Sequence, residues 1–249
     1  MFYRAPGSDE KSQKRHAIHE SVPFGVLLAV VGGFLDAYTF IGRGGVFANA
    51  QTGNIVLVGI YVSRGELQKS LGSLVPIFAF VMGVLVAESI KRNASRLWAL
   101  DCARTVLFFE MTVLFMIGFV PSTVPNYFVT VTVSFVASLQ VSTFRKLVDS
   151  PYSTTMCTGN LRTAAREAYL AVTQKDRESA RRSLRFFIII FSFFVGAVSG
   201  GLLTSAVKEK AVWVAVACLA AAAVLFSIAN QNPAGGQKNS AGRPERKNL

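Results

Sequence analysis

The chain has 249 residues, of which 51% are hydrophobic and 16% charged, and its formal net charge is +12. A soluble domain carries about 25% charged residues, so the composition points away from an ordinary soluble globular protein. The basic excess lies between apolar segments and not in a separate basic domain, which argues against nucleic-acid binding and fits the Lys/Arg bias of membrane loops.

Taken in chain order, six segments reach the roughly 20 apolar residues that a bilayer crossing needs. They are residues 22–41, 71–90, 103–120, 127–144, 186–207 and 211–229. Polar tails of residues 1–20 and 230–249 flank two membrane halves, residues 21–120 and 121–229. The first segment is followed by Ala48-Asn49-Ala50, which imitates a signal-peptidase site. The apolar run is too long, contains Asp36, and ends too far upstream for that reading.

Two shorter segments, residues 52–62 and 158–172, each begin with Thr-Gly-Asn. The first would span about 17 Å as a helix, half a bilayer. The second carries Arg162, Arg166 and Glu167 and suits lipid poorly. If neither crosses, the basic stretches fall on one side. These are the N-terminal tail, the loop with Lys91, Arg92, Arg96 and Arg104, the stretch from Arg145 to Arg185, and the C-terminal tail. The uncharged turn at 121–126 falls on the other side. The positive-inside rule then puts both termini in the cytoplasm, with Lys208 and Lys210 as a small external exception.

The repeated tripeptide belongs to a longer internal match. LDAYTF at 35–40 corresponds to LQVSTF at 139–144, an offset of 104 residues, and the two TGN copies are offset by 106. Gln140 takes the place of Asp36. Each half contains three crossings, an odd number, so the halves have opposite orientation. The expected fold is an all-α integral membrane protein, with six transmembrane helices in two inverted three-span repeats. Each repeat carries an extra non-spanning helix after TGN. Solute sites in such folds form at interrupted helices near the midplane.

The pattern GGFLDAYTF, FANAQTGN, a Gln-containing span and a second TGN resembles the YoaK family of bacterial integral membrane proteins, a domain-of-unknown-function family. The resemblance spans residues 20–230. It implies a multi-spanning protein of the bacterial inner membrane associated with small-solute transport. It brings no substrate and no catalytic residue.

Asp36 is the leading site candidate, because an ionisable group inside a span is costly and faces a cavity or a partner. A structural role, accepting hydrogen bonds from a nearby helix start, explains it equally well. Thr52, Gly53 and Asn54, with Asn49 just upstream, and Thr158, Gly159 and Asn160 begin the two short helices. Thr and Asn cap helices, Gly permits close approach, and a helix start inside the membrane favours a polar or anionic ligand. Together with Asp36 and Gln140 these residues are expected to line one central polar site. Glu110, inside a span, is expected to pair with Arg162 or Arg166, which share a helix face; those arginines suit lipid phosphate at the inner surface as well.

Gly196 and Gly200 form GxxxG, which serves packing within the chain or a homodimer. His16 and His19 lie in the N-terminal tail, and Cys102, Cys157 and Cys218 are widely spaced. Neither a metal site nor a cofactor is indicated, and no enzyme motif is present. The expected function is a transporter or channel for a small polar or anionic solute, embedded in the lipid bilayer. The alternative is a non-transporting membrane protein acting as an interaction or regulatory partner.

Overall fold

In the computed structural model, residues 21–93, 102–144, 146–147, 150–151, 155 and 157–231 are described. The tail at 1–20, most of the tail at 230–249, and Arg96 lie outside them.

Helix α1 (Val22–Gly42) begins with Pro23 in its first turn, where a missing N–H costs nothing. It stops where Gly44 and Gly45 take left-handed backbone angles, φ 99° and 73°. Helices α2 (Gln51–Ser63) and α3 (Leu67–Asn93) follow, then α4 (Cys102–Ile117) and α5 (Asn126–Thr143). The strands β1 (Lys146–Leu147) and β2 (Ser150–Pro151) pair antiparallel, a small exception to the all-helical expectation. Helices α6 (Cys157–Thr173), α7 (Arg177–Val207) and α8 (Val212–Gln231) complete the chain, with a 3-10 turn at Lys208–Ala211 between the last two.

Val22–Gly42, Leu67–Arg92 and the run Arg177–Ile228, which the turn at Lys208 divides into α7 and α8, are long and apolar enough to cross a membrane. Helix α7 begins well before the expected apolar segment because Asp176 caps it. Its Oδ1 accepts from the Glu178 amide at 3.0 Å, and its Oδ2 accepts from the Ser179 amide and hydroxyl at 3.1 and 2.7 Å. The Ser179 hydroxyl, helped by the two amides, holds the Asp176 carboxyl below its usual range. A group with a lowered folded pKa stabilises the fold above its unfolded pKa and loses that contribution when protonated. Asp176→Ala is therefore expected to melt earlier than the native chain at neutral pH, with the difference vanishing as pH falls through the carboxylate range. Melting series at several pH values check this, and equal melting at neutral pH would remove the cap from the account.

Helix directions follow from neighbouring residues. Val30 and Phe34 of α1 lie against Gly196 and Gly200 of α7, and Gly42 lies against Thr204, so α1 and α7 are parallel. Tyr38 donates to the Glu209 carbonyl at 3.3 Å while Phe24 lies 6.3 Å from Phe226, so α8 runs antiparallel to α1. Phe115 stacks near Trp213 and Arg104 lies over Phe226, which makes α4 antiparallel to α8. Gly83 meets Phe135 and Ser138, and the Lys91 ammonium donates to the Ser142 carbonyl at 2.5 Å, so α3 and α5 are parallel. Phe24 lies 5.0 Å from Phe144 while Gly44 lies against Asn126, so α5 runs antiparallel to α1. Thus α1, α4 and α7 point one way, and α3, α5 and α8 point the other.

The packing partners are α1 with α7, α3 with α5, α2 with α3, α6 with α7, α1 with α8, and α4 with α5 and α8. The main core joins Phe24, Leu28, Phe34 and Tyr38 of α1 to Leu107 and Leu114 of α4, Val133 and Val136 of α5, and Leu219 and Phe226 of α8. Ala48 is fully buried beside this core. The GxxxG pair is used inside the chain, against the α1 backbone.

Candidate functional site

Asp36 sits near the middle of the second half of α1 and is 4% exposed. After α1 the chain doubles back, and the Asp36 Oδ1 receives the returning backbone. It accepts from the Asn49 amide at 2.6 Å and from the Ala50 amide at 3.4 Å. The Asn49 side chain donates from Nδ2 to the Gly32 carbonyl at 3.2 Å. These bonds place the start of α2 beside the middle of α1.

Asn54, fully buried in the first TGN, locks the same turn. Its Oδ1 accepts from the Phe47 amide at 2.8 Å, and its Nδ2 donates to the Phe47 carbonyl at 2.8 Å and to Gln51 Oε1 at 2.9 Å. A Cβ on Gly53 would fall 2.9 Å from the Phe47 ring, so glycine lets that ring settle on the helix. Phe47 also stacks on Phe40 with ring centroids 4.7 Å apart. The first tripeptide thus divides its labour: Asn54 and Gly53 hold the turn, and Thr52 faces outward.

Beyond this turn lies a cavity of about 580 Å³, open on one side. Asp36, Asn49 and Thr52 line it from the first half, and Thr158 and Gly159 line it from the second TGN. Gln51, Thr155 and Cys157 complete its polar lining, while Phe40, Phe47, Phe80 and Phe193 make aromatic walls. Its volume falls within the roughly 300–1,000 Å³ of small-molecule sites, which are mostly apolar with a few placed polar groups. Two buried oxygens of this lining, Asp36 Oδ2 and Asn49 Oδ1, have no hydrogen-bond partner among the described residues. Buried polar atoms are ordinarily paired, so an unpaired pair beside a cavity marks a place for a donor.

The other expected members stand apart. Asn160 is buried on the α6 stripe that includes Ala164 and Glu167, the face turned toward α7. Gln140 does not line the cavity. It faces Glu110, which is 1% exposed, without completing a hydrogen bond. The expected pairing of Glu110 with Arg162 or Arg166 is not formed. Helix α4 packs on α5 and α8 while α6 packs on α7, and the exposed Arg166 lies 3.8 Å from Glu167. Arg162 is exposed as well. Asp36 and Gln140, aligned in the sequence match, therefore have different surroundings, a cavity for Asp36 and a neighbouring carboxyl for Gln140.

The aromatic walls were not legible in the sequence. Phe80 and Phe193 fall inside apolar runs, where one phenylalanine looks like another. Arg43 also escaped notice, because an arginine ending a span looks like a loop charge. It is 1% exposed, donating from Nε to the Tyr38 hydroxyl at 3.0 Å and from Nη2 to the Val120 carbonyl at 2.7 Å.

Long apolar helices, an ionisable group buried in one of them, and a bundle coated in exposed Phe, Leu and Val side chains define an all-helical integral membrane protein. The chain matches the family described as "Protein of unknown function (DUF1275)" over residues 24–225, and it belongs to that family. It is similar to the UPF0700 transmembrane protein YoaK of Bacillus subtilis (strain 168), at 24% identity over 196 residues, covering 76% of this chain and 87% of that protein. No solved structure matches it.

Proposed function

We propose that the protein is a transporter or channel for a small polar solute in the bacterial inner membrane, with its site where two inverted repeats meet. The observation that carries this reading is the cavity that both TGN helix starts share with Asp36. A helix start at membrane depth is tolerated where it lines a cavity, and solute sites of inverted-repeat transporters are built from such interrupted helices.

The reading includes six crossings with both termini in the cytoplasm, and the helix directions support it. Exchanging α1 with α5, α2 with α6, α3 with α7 and α4 with α8 turns each principal packing pair into another such pair. Among the long helices, α1 and α5, α3 and α7, and α4 and α8 also point opposite ways, as inverted repeats require. A solute carrying only negative charge suits the cavity poorly, because Asp36 lines it.

Gly159 offers a test that spares the fold, since a Cβ there meets nothing within 4 Å. Gly159→Trp is expected to fill the cavity, keep the native melting temperature, and reduce solute uptake into proteoliposomes to background. A screen of labelled small solutes with the native chain supplies the substrate. Uptake by the folded variant at the native rate would remove this cavity as the route.

A further inference from the structure

The two ends of the cavity differ in charge, and that difference names a class of solute. At one wall, Asp36 Oδ1 is already engaged by the Asn49 and Ala50 amides, immediately before α2. The carboxylate therefore occupies the positive end of α2, where an anion would otherwise be favoured. Its second oxygen and Asn49 Oδ1 are left as buried acceptors without partners among the described residues. At the other wall, α6 begins with Cys157, Thr158 and Gly159, all lining the same cavity. The first N–H groups of a helix have no partner within the helix. Gly159, with open space where a side chain would stand, leaves the main chain there accessible. The rings of Phe40, Phe47, Phe80 and Phe193 line the same cavity.

We infer that the cavity takes a small zwitterion with an apolar body: an ammonium group on Asp36 Oδ2 and Asn49 Oδ1, and a carboxylate at the start of α6. An ammonium supplies the donors that both oxygens lack, and the aromatic faces add attraction for a cation. The carboxylate meets the positive end of α6 and the Thr158 hydroxyl. The phenylalanine rings bury the apolar body, which fits walls that are mostly apolar. Each charge of such a solute meets its complement, whereas a solute bearing one charge leaves one wall unanswered. Removing one partner of a buried charge pair costs more than tenfold in affinity.

This inference rests on the transport reading for its biological meaning, but binding alone tests it. L-Phenylalanine, phenethylamine and hydrocinnamate share a ring and differ only in which charges they carry. Calorimetric titration and thermal-shift measurements on the purified full-length protein are expected to show L-phenylalanine binding more than tenfold tighter than either analogue. Equal or tighter binding of the amine or of the acid would overturn the inference, as would no binding of the zwitterion. Uptake of the same three compounds into proteoliposomes separates the two readings. A zwitterion that binds but is not carried sinks transport and leaves the ligand class standing. Carriage of some other solute without zwitterion binding does the reverse.

Discussion

Asp36→Asn is expected to abolish solute uptake while leaving the protein folded. The substitution keeps an oxygen at Oδ1, so the Asn49 and Ala50 amides retain their acceptor. It replaces the unpartnered Oδ2 with an amide donor and removes the negative charge from the cavity wall. Loss of the charge at the start of α2 costs about 0.3–1 kcal/mol, too little to unfold the chain. A solute group held by Oδ2 instead meets a like donor, with a loss of more than tenfold in uptake at limiting solute, or more than about 1.4 kcal/mol. The comparison is made in proteoliposomes at equal amounts of folded protein, with size-exclusion profiles and circular dichroism as the folding check. Native uptake by a folded variant would reduce Asp36 to a bracket for the turn.

Gly33→Leu is expected to destroy the fold. A Cβ at residue 33 would collide with the Phe193 carbonyl oxygen and stand 2.9 Å from the Ala197 amide nitrogen. Both obstacles are backbone, so no rotamer change relieves them. Gly196 is equally tight, facing the Val30 carbonyl from the other helix. Close backbone approach through small residues is what holds helices together where lipid competes for apolar contact. Overpacking a filled interior costs about 1–3 kcal/mol even when side chains can give way, and here the backbone must separate. The measurement is yield and melting temperature in detergent, with Gly159→Leu as the control in open space. A Gly33→Leu protein that melts like the native chain would show that α1 and α7 do not meet this closely.

Much of this architecture could be read from hydropathy and charge. Both post-TGN helices appear close to where the tripeptide placed them, as Gln51–Ser63 and Cys157–Thr173, but the expected capping does not hold for α2: its N-cap is Ala50 with no side-chain cap, and the Asn54 side chain bonds Phe47 instead. The apolar segments appear as helices because residues with no water to bond must bond within their own segment. Helix ends were less legible. Asp176 starts α7 inside a stretch whose arginines looked like loop, since capping is local and hydropathy averages over many residues.

The site was legible in part. Asp36, Asn49, Thr52, Thr158 and Gly159 could be listed because polarity inside an apolar run stands out, and they line one cavity. Gln140 aligned with Asp36 in the sequence match but not in surroundings, because matching letters do not fix which neighbours pack against them. The partner of Glu110 was misjudged for a related reason: charge complementarity suggests arginine, but which helix lies alongside α4 is a tertiary fact. Asn54 and Asn160 occupy the same letter of the tripeptide, and both are buried away from the cavity lining.

The principal packing pairs, α1 with α7 and α3 with α5, each draw one helix from either side of the turn at 121–125. The two halves of the sequence are thus interleaved in space like the fingers of clasped hands. Severing the chain at that turn would leave two fragments, each lacking the neighbour that covers its longest apolar surface. The cavity follows the same plan: Asp36, Thr52 and Phe80 line it from one half and Thr158, Gly159 and Phe193 from the other, so neither half encloses it alone.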